Sequence, residues 1–146
     1  KMQEEFKVKI KNLLELMGLN EPGVDFDTEN HKLKVFVNEG EWFKKHLPYV
    51  VADLERLANL LAKKNGLEEN VFVDVNNYRK ERENLIVELA KAAARKVLLT
   101  KEEVKLPTMN AYERRLVHME LATRPDVKSE SLGEGPERHV IVKPLI

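Results

Sequence analysis

Arg114 and His118 stand four residues apart in the stretch Asn110-Ala-Tyr-Glu-Arg-Arg-Leu-Val-His118. On a helix that interval puts both side chains on one face, one turn apart. A guanidinium can fork two hydrogen bonds onto one phosphate, which lysine does less well. An imidazole one turn along can donate to a neighbouring phosphate or stack on an unpaired base. The stretch also encodes its own start. Asn110 can cap the helix while Glu113 reaches back, the reciprocal capping box. Arg115 flanks the pair. Tyr112, Leu116 and Met119 fall on roughly the opposite side and are expected to face a sheet.

The elements that must position this helix follow from periodicity. Phe6, Ile10, Leu13 and Met17 step by three and four, a helix closed by Gly18 and Pro22. Two short strands are expected at Val24–Asp27 and Leu33–Val37, joined by a turn at Thr28–His31. Val50, Leu54, Leu57 and Leu61 mark a second helical stretch ended by Asn65-Gly66, and Val71, Val73 and Val75 a third strand. A long helix is expected from Tyr78 to Leu99, with Leu85, Leu89, Ala93 and Val97 inward. A strand at Glu103–Leu106 precedes Pro107 and the Arg-His helix. The end reads as a hairpin, Lys128–Leu132 and Arg138–Val142 around Gly133-Glu-Gly-Pro136. The predicted class is α+β, helices packed on small sheets, with a boundary near residues 76–78.

Composition removes several function classes. The 146 residues carry no cysteine, which excludes disulfides and thiolate metal sites, and four scattered histidines offer no metal-ligand spacing. No Gly-x-Ser-x-Gly or phosphate-loop pattern occurs. We therefore expect no catalytic residue, metal, cofactor or small-molecule substrate. No apolar run approaches the roughly 18 residues that span a bilayer, so no membrane insertion is expected, and the cytoplasm is the expected compartment. Formal net charge is zero, but its distribution is uneven. Residues 1–77 carry eleven basic and fourteen acidic side chains; residues 78–100 carry six and three.

Beyond the Arg-His stretch, Val73-Asp-Val-Asn-Asn-Tyr-Arg79, Glu81-Arg-Glu83 and Ser129-Glu-Ser-Leu-Gly-Glu-Gly-Pro-Glu-Arg138 followed by Val140-Ile-Val142 form a wider pattern. Together they make the segment from Asn76 to Leu145 resemble an R-3-H domain, named for an Arg and a His separated by three residues. The version it resembles most ends the proteins of the bacterial Jag (SpoIIIJ-associated) family. The resemblance implies a small mixed sheet with helices over residues 78–146. It also implies binding of single-stranded RNA or DNA through Arg114 and His118, with Arg115, Arg138, Arg79 and Arg82 extending the surface. Arg79, Lys80 and Arg82 alternate with Glu81 and Glu83, and a self-paired helix surface is an equal reading of them.

In that family a KH domain precedes, and residues 1–77 fit a type II KH-like order of helix, two strands, paired helices and strand. A KH domain clamps the nucleotide backbone with a Gly-x-x-Gly loop. Aligned on the helix Leu54-Glu-Arg-Leu-Ala-Asn-Leu-Leu61, that loop falls near Lys45-His-Leu-Pro48, where there is no glycine. The first half is therefore expected to be degenerate for RNA binding and to serve as a scaffold or protein-contact surface. The resulting expectation is a single-stranded nucleic-acid binder, RNA foremost, with a regulatory role around cell envelope growth, division or sporulation. The alternative is a protein-interaction module that has lost nucleic-acid binding.

Overall fold

A computed structural model describes residues 2–38 and 40–145. The chain forms two compact units, Lys1–Lys80 and Glu81–Ile146, and the architecture is α+β in both.

The first unit runs α1 (Met2–Leu16), β1 (Gly23–Asp27), β2 (Lys32–Phe36), α2 (Glu41–Lys64) and β3 (Phe72–Val75). Its sheet has the order β1-β2-β3, with β1 antiparallel and β3 parallel to the central strand. Leu33 sits opposite Val73 and Phe26, and Val35 opposite Val75 and Val24, so one face is apolar across all three strands. Phe6, Ile10 and Leu14 of α1 and Val51, Leu54, Ala58 and Ala62 of α2 close over it. The expected stripes are therefore rotated. Leu14 replaces Leu13 and Met17 as the buried end of α1, and Leu57 is exposed while Ala58 and Ala62 are buried. Alanine lets a helix approach a sheet more closely than leucine does, so small residues can hold the inner face.

Helix α2 corrects a second expectation. Lys45–Pro48 is neither a loop nor a break between paired helices, because one uninterrupted helix starts after Gly40 and contains Pro48. The buried positions Phe43, Leu47, Val51 and Leu54 recur every three or four residues across the proline. Packing along this stripe offsets the one intrahelical hydrogen bond that proline removes.

The outer edge of β3 is closed by side chains. Asn59 of α2 accepts from Val71 N–H at 2.7 Å and donates to Val71 C=O at 2.9 Å. Glu55 accepts from Val73 N–H at 3.0 Å, and Arg79 donates to Val73 C=O at 3.1 Å and to Glu55 at 2.7 Å. Asn76 makes the same two-way bond to Val37, at 2.8 and 2.9 Å, continuing the ladder beyond β3. Asp74, the one buried charged residue among the described residues, accepts from the backbone N–H groups of Val75, Arg79 and Lys80.

The second unit contains α3 (Tyr78–Thr100, shared at its first turn with the first unit), β4 (Val104–Thr108), α4 (Ala111–Leu121), β5 (Val127–Leu132) and β6 (His139–Pro144). Its sheet, ordered β4-β6-β5, is antiparallel throughout rather than mixed. Strand β4 continues through Pro107, with a register shift between Lys105 and Thr108, as an edge strand permits. On α3 the buried stripe is Ile86, Ala90, Ala93, Ala94 and Val97, whereas Leu85 faces out. The hairpin turn contains a 3-10 turn at Gly135–Glu137. No helix among the described residues is long and apolar enough to cross a membrane.

Replacing Asn59 with alanine strands both polar groups of Val71 and is expected to cost about 1–3 kcal/mol, read as a lowered urea midpoint at unchanged slope. Replacing exposed Asn30 should leave the midpoint nearly unmoved.

Candidate nucleic-acid interface

Helix α4 begins as its sequence requires. Glu113 N–H donates to Asn110 Oδ1 at 2.8 Å, and Glu113 Oε1 accepts from Asn110 N–H at 3.1 Å. The other carboxylate oxygen accepts from Arg82 Nε at 2.8 Å. One glutamate thus caps α4 and ties it to α3. Tyr112 Oη adds a second tie by donating to Glu83 at 2.8 Å.

The face that α4 turns to the sheet differs from the one expected. Val117 and Leu121 are buried, Leu116 is partly so, and Tyr112 and Met119 point outward at 55% and 60% exposure. The inward set therefore lies on the Arg114-His118 side. His118 Nδ1 lies 2.7 Å from Ser129 Oγ and its Nε2 2.8 Å from Ser131 Oγ. Both serines stand on one face of β5, opposite Val142 and Val140 of β6, which are fully buried. Burial lowers the His118 pKa, and the Arg114 charge lowers it further. The ring is thus held neutral, one nitrogen donating and the other accepting, and a hydroxyl can complete either role. Both ring nitrogens are engaged, and these contacts join α4 to β5.

Arg114 projects from the same face. Its Nη1 donates to Met109 C=O at 2.6 Å, and Met109 N–H donates to Arg138 C=O at 3.1 Å. Arg138 in turn donates from Nη1 to Gly133 C=O at 2.7 Å. This last contact depends on a tight turn: Gly133 has φ of +88°, and a Cβ there would lie 2.9 Å from Glu137 O. Arg114, Arg115, His118, Ser131 and Arg138 line one open groove of about 400 Å³. Among the described residues, neither Arg115 nor the other donors of Arg114 and Arg138 meet a carboxylate.

Four of the six residues singled out in the sequence thus meet at one groove. The other two do not line it. Arg82 is engaged by Glu113, and Arg79 belongs to the first unit, where it pairs with Glu55. Ser129 and Ser131 were missed. Their signal was period-two spacing in a strand, two hydroxyls where the inward face calls for apolar side chains. Among the described residues, no cluster of three metal-ligating side chains occurs.

Residues 84–144 match the family model of the R-3-H domain. Three relatives, each called RNA-binding protein KhpB (the Jag family), are similar to about the same share of the chain. The protein from Clostridium symbiosum is 41% identical over 90 residues, 61% of this chain and 40% of that protein. Those from Lactiplantibacillus plantarum and Bacillus subtilis are 38% identical over 90 residues and 37% over 92, again 61% of this chain and 28% and 44% of theirs. The matched stretch is thus less than half the length of each relative.

The sign of the His118 shift fixes a pH dependence. Its folded pKa lies below the ordinary 6.5, so below that pH the unfolded chain takes up a proton that the folded chain resists. The stability contributed by the neutral ring is complete above about pH 6.5 and is lost as pH falls through the folded value. Urea unfolding should show His118→Gln less stable than wild type by about 1–2 kcal/mol at neutral pH. The gap should narrow below about pH 6.5; a gap that does not change with pH would contradict a partly buried neutral ring.

Proposed function

We propose that the second unit binds single-stranded nucleic acid, RNA foremost, along its backbone. The observation that carries this reading is the convergence of Arg114, Arg115 and Arg138 on one open groove. Guanidiniums bind phosphates bidentately, and such contacts give affinity without sequence reading. His118 serves this reading as a positioning residue: its two serine contacts set the height and rotation of α4, and thereby where Arg114 and Arg115 project. The relatives' name, RNA-binding protein, points the same way. The role is one of binding, not catalysis.

The first unit is proposed to be KH-like. Its helix-strand-strand-helix-strand order and three-stranded sheet support this. The expected Gly-x-x-Gly position lies inside α2, so no glycine loop is available there to clamp a backbone. A cytoplasmic location and a regulatory role in envelope growth, division or sporulation are part of the same proposal and rest on the Jag resemblance.

Fluorescence anisotropy of labelled single-stranded RNA across a salt series tests the groove. Three phosphate contacts predict a slope of log affinity against log salt of roughly −2, and Arg114→Ala should flatten it by about 0.7. Arg115→Ala and Arg138→Ala should act alike. Wild-type protein that shows no binding at low salt would remove the reading.

A further inference from the structure

The N-terminal half of α2 carries a feature outside the groove. Trp42, His46 and Tyr49 occupy positions i, i+4 and i+7 of that helix, one continuous stripe. Trp42 is 72% and Tyr49 71% exposed. The large aliphatic and phenyl side chains of the same turns, Phe43, Leu47 and Val51, are all buried, so planar rings are what this face presents outward.

The rings are ordered. Trp42 and His46 stack with centroids 4.4 Å apart and planes inclined by 30°. His46 Nδ1 donates to Trp42 C=O at 2.7 Å, which fixes the imidazole on its neighbour. From Trp42 to Tyr49 the helix rises about 10 Å. The flanking charges are balanced, Glu41 by Lys44 and Asp53 by Arg56, both at 3.4 Å. Lys45, exposed between Trp42 and Tyr49, has no partner among the described residues.

We infer that this stripe is a second single-strand site, a stacking platform on which unpaired bases lie against Trp42 and Tyr49 while Lys45 meets a phosphate. The inference rests on the reading that the chain binds single-stranded nucleic acid. An aromatic face accepts any base, because every base has a π-face, and a nearby cation adds a backbone contact. Lys45, the cation beside the rings that is unpaired among the described residues, complements a phosphate and favours a nucleic acid as the occupant. The platform needs no glycine loop, so it is compatible with an uninterrupted α2.

The chain contains one tryptophan, so Trp42 emission reports the site directly. The full chain is titrated with a single-stranded uridine oligomer, with emission and the anisotropy of a labelled oligomer followed together. Quenching of Trp42 that saturates along the anisotropy curve is expected. An abasic oligomer of equal length should leave the emission unchanged. Trp42→Ala and Tyr49→Ala, both at exposed positions, should each weaken binding about fivefold or more, with circular dichroism unchanged. Arg114→Ala should still show quenching at higher RNA concentration. Anisotropy binding with unaltered emission, and undiminished binding by Trp42→Ala/Tyr49→Ala, would overturn the platform while leaving the arginine groove standing. That result would leave the stripe without a nucleic-acid role. If neither signal changes for wild type, the nucleic-acid reading itself falls.

Discussion

Two hydrogen bonds from one imidazole determine what the second unit can present. His118 bridges Ser129 and Ser131 across the margin of the core, and α4 has only Val117 and Leu121 as fully buried anchors. A short helix with so little apolar surface can rotate or slide on a sheet. Paired polar contacts of fixed direction remove that freedom, because each bond is satisfied at one register only. The arrangement is stable because it is neutral: a charged ring at the same depth would incur a desolvation cost that two hydroxyls do not cancel. The arginines can then remain mobile at their tips while their origins stay fixed.

The first unit solves a different problem, that of a sheet ending in an edge. The polar groups of Val71 and Val73 that point away from β2 would form a template for another strand. Side chains of α2 and the start of α3 occupy them instead, with Asn59 imitating a peptide group and Glu55 and Arg79 completing the row. This explains why a basic residue in a motif-like setting need not bind a ligand. Arg79 is drawn to a carboxylate and a carbonyl of its own unit, where a partly shielded environment makes both contacts stronger than they would be in water.

What could be read from the sequence was what is local. The capping box of α4, the Arg114-His118 spacing and the succession of elements all depend on residues a few positions apart, and the structure has them. The inward faces of the helices depend on depth of packing, which periodicity alone does not carry. Leu57 and Leu85 fit the helical period but are exposed, while the alanines Ala58, Ala90 and Ala94 take the buried positions. The side of α4 that meets β5 was likewise invisible, since it depends on serines more than ten residues away. The KH resemblance puts a loop near Lys45–Pro48, whereas the buried stripe that carries α2 through it is a property of packing.

Glu113 has a consequence for motion. The first turn of a helix usually frays before the rest, since its N–H groups lack internal partners. Here one carboxylate holds Asn110 N–H with one oxygen and Arg82 with the other, so opening that turn also breaks a tie to α3. Local unfolding is thereby made cooperative across two helices. The N–H groups of Asn110 and Glu113, both held by side chains, should then exchange more slowly than those of their exposed neighbours Ala111 and Tyr112.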